Sequence, residues 1–281
     1  MAAIEQETEK ILSYTGNAIY ISEDWGETFQ RLWSCPNVDG STQRVQMLNL
    51  IETGEMLVGT DKGNLFKTDT NYQNPRLVLT AEASDSVFTE AFGFSAFRNM
   101  LLIAEYTNKN NLTDTRNVWL SYDYGETWAK IFAKEAAPDF HIHDVQFDPY
   151  ESLIWIAVGD NAHPQIYWSD DFGVSWKEVW DDFDKAPGHF TQVMPLPNCV
   201  LFVSDTRQVA VYRYDRPTGG IQTLDKVPIE PAWVLYPCTS PYDFFGGKVV
   251  CTYDNPATAY FGFRQHYSSV TTHTIVYATT D

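Results

Sequence analysis

An eight-residue motif that occurs three times constrains the fold of this chain more than any other feature of its sequence. The motif reads SEDWGETF at 22–29, SYDYGETW at 121–128 and SDDFGVSW at 169–176. Each copy, called a box below, has serine first, aspartate third, glycine fifth and an aromatic residue last. A motif that recurs at well-separated positions along a chain indicates that the chain is built from repeated structural units.

Strand-like segments precede each box. Before the second box they read VFTEAFGF, an apolar segment, and LLIAEYTNKN, an apolar segment that ends in a turn. We interpret each unit as three strands, the box and a fourth strand, and four-stranded units of about 45 to 50 residues are typical of β-propeller blades. A degenerate copy of the box is predicted in GNLFKTDTN, with Thr68 in the serine position and Thr70 in the aspartate position. The segment VAVYRYDRPTGG resembles another degenerate copy.

The box pattern resembles the Asp-box, or BNR repeat, of the sialidase superfamily of β-propellers, over most of the chain. The stretch HIHDVQFDPYESLIWIAVGD with the box that follows it resembles a subgroup without an assigned reaction. The resemblance implies that each box joins the third and fourth strands, on the face opposite the substrate site.

We therefore expect the box residues to be structural. The aspartate can accept backbone N–H bonds across its turn, the glycine can supply a positive φ, and the last aromatic residue can pack between sheets. The structural residues are Ser22, Asp24, Gly26, Phe29, Ser121, Asp123, Gly125, Trp128, Ser169, Asp171, Gly173 and Trp176.

The predicted fold is a single all-β propeller domain over residues 1–281 with four-stranded antiparallel blades. Six blades are expected, at about 10–35, 45–80, 87–133, 141–181, 190–227 and 232–270, with five or seven as alternatives. The first blade lacks an innermost strand, and residues 273–281 are predicted to supply it and close the ring.

A ligand site is expected where the first strands start and the second strands end, on the face opposite the boxes. The residues predicted there are Arg44, Asp61, Glu90, Glu105, Tyr106, His141, His143, Asp160, His163, His189, Gln192, Asp205, Arg207 and Asp254. Within this set, Glu105 and Asp160 are the candidate catalytic carboxylates, assisted by His141 or His143. The candidate ligand contacts are Arg44, Asp61, Tyr106, Gln192, Asp205 and Arg207.

Each of these residues also has a structural interpretation. An aspartate at the start of a turn often bonds only to nearby backbone. His141 and His143, two residues apart on a strand, can share one side and hold a divalent metal, but histidines bonded to their neighbours are favoured. No cofactor is expected.

The net charge of −18 and a pI near 4.6 argue against binding to nucleic acid or to anionic membranes. Neither a signal peptide nor a membrane-spanning stretch is recognised, which predicts a cytoplasmic protein or a component of an assembled particle such as a virion.

A true sialidase is disfavoured, because the Arg-Ile-Pro motif that the resemblance would require is missing and an acidic rim would repel an anionic sugar. We favour a carbohydrate-interacting propeller that acts as a glycan-recognition or structural module of a larger assembly, such as a viral tail or a cell-surface adhesion. Its partners would be a glycan or glycosylated surface, together with proteins of that assembly. The alternative is a glycoside hydrolase or polysaccharide lyase acting on a neutral or weakly charged glycan.

Overall fold

All regular elements in the described part of the chain are β-strands. The computed structural model describes residues 2–5, 10–82, 86–88, 93–106, 115–135, 141–158, 165–178, 190–204, 210–217, 230–234, 245–246, 250–252, 258–264 and 274–280. Among these residues there is no helix with the length and hydrophobicity of a membrane span. The chain divides into two compact units.

Unit 1 comprises Met1–Lys109 and Thr113–Glu135 and contains three four-stranded antiparallel sheets. Sheet 1 consists of β1 (Ala2–Glu5), β2 (Lys10–Thr15), β3 (Ala18–Ser22) and β4 (Gln30–Ser34). Sheet 2 consists of β5 (Val45–Leu50), β6 (Met56–Thr60), β7 (Asn64–Lys67) and β8 (Arg76–Thr80). Sheet 3 consists of β9 (Phe94–Phe97), β10 (Met100–Ala104), β11 (Thr115–Ser121) and β12 (Ala129–Glu135).

Unit 2 comprises Asn110–Leu112 and Ala136–Asp281, and its described strands also form three sheets. Sheet 4 consists of β13 (Ile142–Asp148), β14 (Leu153–Val158), β15 (Gln165–Ser169) and β16 (Lys177–Glu178). Sheet 5 consists of β17 (Phe190–Pro195), β18 (Cys199–Ser204), β19 (Ala210–Asp215) and β20 (Glu230–Val234). Sheet 6 consists of β21 (Phe245–Gly246), β22 (Val250–Thr252), β23 (Thr258–Arg264) and β24 (Thr274–Thr280).

Burial within the sheets falls toward the fourth strand. Every residue of β6, β7, β14 and β17 is buried, whereas β16 is exposed and β8 is exposed or half-buried. A strand buried on both faces reads as a continuous apolar run, as LIWIAV in β14 does. In sheets 2 and 4 the inner strands therefore carry the core, and the fourth strand faces solvent.

Apolar side chains pack between neighbouring sheets of the same unit. In unit 1, Leu12 and Ile19 of sheet 1 share a core with Val58 of sheet 2. In unit 2, the fully buried Trp155 of sheet 4 packs on Phe202 of sheet 5, with ring centroids 5.6 Å apart. Burial of one large aromatic side chain contributes roughly 2 to 3 kcal/mol, so these cores join the sheets within each unit.

The predicted all-β fold of four-stranded antiparallel sheets is confirmed. The predicted origin of the innermost strand of the first blade is wrong. Sheet 1 takes that strand from its own chain, because β1 pairs with β2 from Ala2↔Ser13 to Glu5↔Lys10. The strand β24 instead pairs along its whole length with β23, the strand that precedes it. The number of blades and closure of the ring stay predictions.

The boundary predicted between the fifth and sixth blades is also wrong. The segment AWVLYP was expected to begin the sixth blade, but residues 230–234 form β20 and pair with β19. Sheet 6 extends to Thr280 rather than to 270. A long connection between β19 and β20 hid this pairing, since sequence spacing was expected to stay constant from unit to unit.

Candidate functional site

The first box forms a closed network of hydrogen bonds between β3 and β4. Asp24 Oδ1 accepts from the backbone N–H of Thr28 at 2.9 Å, and Oδ2 accepts from the Thr28 hydroxyl at 2.5 Å. The Ser22 hydroxyl donates to Asp24 Oδ1 at 2.7 Å and accepts from the backbone N–H of Gly26 at 2.7 Å. Gly26 has a φ of 90°, as the turn requires. The box aspartate therefore holds its own turn.

The other two boxes repeat this network with the same atoms. Asp123 accepts from Thr127, and Asp171 accepts from Ser175, each through backbone and hydroxyl. Hydrogen bonds from Thr28 lower the pKa of Asp24 to about 2, and those from Ser175 lower the pKa of Asp171 to about 2. The structural role predicted for these aspartates agrees with this geometry.

The last aromatic residue of the box behaves differently in sheets 1 and 3. Trp128 is half-buried and packs on the core that contains Leu57 and Leu101, as expected of a wedge between sheets. Phe29 is 45% exposed, so its predicted wedge role is wrong. Trp128 packs toward the preceding sheet 2, whereas sheet 1 is the first sheet of its unit.

In the degenerate box of sheet 2, the aspartate position was predicted one residue too far along the chain. Asp69, not Thr70, occupies the aspartate position, because its Oδ1 accepts from the backbone N–H groups of Asn71 and Gln73 at 2.9 and 2.8 Å. Thr68 Oγ1 accepts from Met56 N–H at 3.1 Å. The turn lacks the residue that separates serine and aspartate in the intact boxes, and alignment on fixed spacing therefore missed it.

At the opposite end of the sheets, called the rim end below, three first strands share an irregularity. The register of β5, β13 and β17 shifts at Gln46, His143 and Thr191, the second residue of each strand. A bulge of this kind re-aims a side chain and often lies beside a functional site. A ligand site at the rim end stays a prediction.

Glu105, the first candidate catalytic carboxylate, is fully buried. Its Oε1 accepts from Trp119 Nε1 at 2.8 Å and from the Glu82 backbone N–H at 2.9 Å, while Oε2 accepts from Asn117 Nδ2 at 2.9 Å. These donors satisfy the carboxylate from three parts of sheets 2 and 3. Glu105 thus serves as a structural anchor in unit 1.

His141 and His143 lie together, as the sequence predicted. Their ring centroids are 4.7 Å apart, and the side chains are only 8% and 3% exposed. His143 Nδ1 donates to the carbonyl oxygen of Phe190 at 2.9 Å, which fixes its ring against sheet 5. Within the described residues, no group of three or more His, Cys, Asp or Glu side chains is placed to hold a metal ion.

The structure describes four of the six predicted ligand contacts. Asp61 Oδ1 accepts from the Arg44 backbone N–H at 2.8 Å, and Arg44 extends an exposed side chain beside it. Tyr106 is half-buried at the end of a short bridge to Val87. Gln192 is 7% exposed, which leaves little of it for a ligand in this conformation.

The remaining predicted rim residues lie outside the described residues. They are the candidate catalytic Asp160, the candidate contacts Asp205 and Arg207, and Glu90, His163, His189 and Asp254. The proposed catalytic pair of Glu105 and Asp160 is therefore only half described.

Sequence reasoning missed a charged cluster at the box end of unit 2. Arg216 Nη1 lies 2.7 Å from Asp148 Oδ2 and 2.8 Å from Glu151 Oε2, while its Nε donates to the Leu196 carbonyl at 2.9 Å. The guanidinium lies over the Tyr150 ring, 5.4 Å from its centroid. Burial raises the pKa of Glu151, against the opposing effect of Arg216. The sequence feature that could have indicated this cluster is Arg216 in VAVYRYDRPTGG, because the three intact boxes contain no arginine.

Solved structures with a similar fold include two enzymes and one peptide complex. An ancestral GH74 enzyme has 15% identity and a TM-score of 0.63, over 98% of this chain and 37% of that chain. A GH74 enzyme from Niastella koreensis has 15% identity and a TM-score of 0.54, over 84% of this chain and 35% of that one. YCF48 bound to D1 peptide has 12% identity and a TM-score of 0.56, over 92% and 73%.

The similarity is one of fold. The chain spans 37% and 35% of the two GH74 chains, and no curated protein matches it. Membership of the Asp-box and sialidase superfamily stays a prediction. A family model, that of the DUF6242 β-propeller domain, matches residues 5–220, which is most of the sequence. The chain belongs to the DUF6242 β-propeller domain family.

Proposed function

We propose that this β-propeller domain recognises carbohydrate without cleaving it, as a binding or structural module of a larger assembly. One observation carries the proposal against catalysis. Glu105 is fully buried and already accepts three hydrogen bonds, so it has no free face for a substrate. Glycoside cleavage needs two carboxyl groups that reach the scissile bond from opposite sides.

Other carboxylates of the rim end are also engaged within the protein. Asp61 caps the backbone of Arg44, and Asp144 accepts from the Val193 N–H of sheet 5 at 2.9 Å. These carboxylate oxygens are occupied by backbone N–H donors of the protein itself. Among the described residues, the rim end therefore presents no evident acid and base pair.

The same end retains groups suited to binding. The Arg44 side chain is exposed and Tyr106 is half-buried, and both lie next to turns. A guanidinium can donate to sugar hydroxyls and an aromatic ring can lie against a sugar face. The GH74 enzymes among the structural neighbours are consistent with a carbohydrate-related role.

A glycan array with the full chain tests the proposal first. We expect at least one glycan to bind, and Arg44→Ala and Tyr106→Ala to weaken it about tenfold, since loss of one good polar or stacking contact costs on the order of 1 kcal/mol. The matched control is Arg31→Ala, which removes an exposed arginine from the outer strand β4 and should leave binding unchanged.

Each glycan that binds is then incubated overnight and analysed by mass spectrometry. Unchanged glycans support recognition. Shorter products that disappear in Asp160→Asn would overturn it in favour of the hydrolase or lyase alternative. If no glycan on the array binds, the carbohydrate part of the proposal is contradicted, and a structural module that binds a protein partner remains.

A further inference from the structure

In each unit, exposed apolar side chains recur at the box ends of individual sheets, where the first strand turns into the second and the third into the fourth. Among the described residues, the large hydrophobic side chains that are exposed at this end are Trp25, Phe29, Tyr122, Tyr150, Phe172 and Val174. Leu77, on the outer strand β8, is the exception to this placement. Aromatic residues exposed in a cluster are a common feature of protein interaction sites.

The first box has the most exposed of these aromatic rings. Trp25 is 63% exposed and Phe29 is 45% exposed. A methyl group added at Gly26 would lie 3.9 Å from the Phe29 ring, so this ring borders the turn that carries Trp25. The first box thus presents two exposed aromatic side chains in one turn at the tip of sheet 1.

Carboxylates flank Trp25 along the chain. Glu23 lies two residues before Trp25 and Glu27 two residues after it, and both are exposed. An aromatic ring beside carboxylates attracts a cation, because the face of the ring has a negative electrostatic potential and each carboxylate carries a negative charge. Guanidinium suits such a place best, since it is planar, weakly hydrated and can stack while it donates hydrogen bonds.

The chain itself contains an example of this recognition in unit 2. Arg216 stacks over Tyr150, which stands in the turn between β13 and β14, and pairs with Glu151 and Asp148 of the same sheet. That arginine comes from sheet 5. The box end of one sheet thus binds an arginine by combining an aromatic ring with two carboxylates.

We propose that the first box, through Trp25, Phe29, Glu23 and Glu27, is a docking surface for an arginine-containing basic segment of a partner protein. The net charge of −18 favours a basic partner over an acidic one. The surface lies at the end of sheet 1 opposite the rim end, and the inference is therefore independent of carbohydrate binding.

The test measures binding of a fluorescent nine-residue peptide of alternating arginine and serine to the full chain by anisotropy. The comparison peptides carry lysine or glutamine in place of arginine. We expect the arginine peptide to bind most tightly, and Trp25→Asn to weaken it about threefold to tenfold, the range of an exposed to partly desolvated cation–π contact. Asparagine accepts the φ of 60° that Trp25 adopts, so this variant should keep the turn intact.

Two further variants separate docking from general attraction to an acidic protein. Glu23→Gln with Glu27→Gln should weaken the arginine peptide in a salt-dependent manner, whereas Asp39→Asn, an exposed acid in another turn, should change it little. Leu77→Asn is the matched control for loss of an exposed apolar side chain and should have no effect.

Equal binding of the arginine and glutamine peptides would overturn the proposal. An unchanged affinity in Trp25→Asn would overturn it as well, since attraction to net charge alone does not require the ring. Glycan binding in Trp25→Asn is expected to equal that of the unaltered chain, so failure of this inference and failure of the carbohydrate proposal are distinguishable.

Discussion

At the scale of single residues, the box aspartates stabilise turns and carry no chemistry that the structure reveals. Asp24→Asn keeps one oxygen for the Thr28 N–H but presents an amide donor to the Thr28 hydroxyl, so we expect lower stability at pH 7. The folded-state pKa of Asp24 is about 2, below its ordinary value of 3.8. Its contribution is therefore present above about pH 4 and is lost as the pH falls toward 2.

Urea unfolding from pH 7 to pH 2 measures this effect. The difference between Asp24→Asn and the unaltered chain should shrink as the pH falls below 4. Asp39→Asn serves as the control, because Asp39 is an exposed acid with a positive φ that asparagine also accepts. A difference that stays constant over this range would show that the charge of Asp24 does not matter.

The types of residue in the sequence predicted the hydrogen-bonding roles of the box residues far better than those of the rim residues. The hydrogen bonds of the box join residues two to four positions apart, so Ser22, Asp24 and Thr28 could be recognised together in the sequence. Glu105 owes its role to Trp119 and Asn117 on another strand. An acidic residue after a strand looks the same in sequence whether it faces solvent or an indole N–H, and only packing decides between them.

At the scale of strands and turns, the second box also joins two sheets. Glu126 Oε1 lies 2.7 Å from the Nζ of Lys67, a side chain that is 2% exposed on β7, and Glu126 also pairs with Arg76 on β8. Lys67 Nζ lies 2.7 Å from Glu55 Oε2 as well. A box residue of sheet 3 thus neutralises a buried lysine of sheet 2.

Glu126→Gln is expected to destabilise unit 1 by about 1 kcal/mol, because Glu126 is 44% exposed and solvent screens its charge, while Glu55 still pairs with Lys67. The side-chain hydrogen bond from Lys67 is the main cause of the lowered pKa of Glu126, so this stability is present at neutral pH and is lost in acid. Urea unfolding measures the loss at both pH values.

Glu27→Gln is the matched control, since Glu27 occupies the same box position in sheet 1 and forms no ion pair in the described part of the chain. We expect it to be neutral within about 0.5 kcal/mol, as surface substitutions usually are. Equal effects of the two substitutions would contradict a role for Glu126 between sheets.

At the scale of the whole molecule, periodicity of the sequence predicted repeated four-stranded antiparallel sheets because, in sheets 1 to 5, each strand pairs with its neighbour in the chain. It failed where the period varied. The long connection before β20 shifted the fifth boundary, and the short β1, with the sequence AAIE, has too few residues to show an alternating pattern.

The pairing of the chain's last strand provides a test at this scale. Because β24 covers β23 from Thr258↔Thr280 to Arg264↔Thr274, removal of residues 274–281 should expose the amides of β23 to hydrogen exchange. The amides of β2 should keep their protection, since β1 pairs with β2 in the shortened chain as well. Mass spectrometry of peptides that cover Lys10–Thr15 and Thr258–Arg264 reads both effects in one experiment.

The complementary deletion makes the result specific. Removal of residues 1–5 should increase exchange in β2 and leave β23 unchanged, because the ladder of β1 ends with Ala2↔Ser13 and Glu5↔Lys10. Loss of protection in β2 after removal of residues 274–281 would instead mean that the last strand supports sheet 1, as repeat counting alone suggested. Hydrogen exchange detects the amides of a strand edge that has lost its partner. If the deletion of residues 274–281 increases exchange only in β23, then the partner of β23 is β24 and the partner of β2 is β1, each of which is adjacent in the sequence.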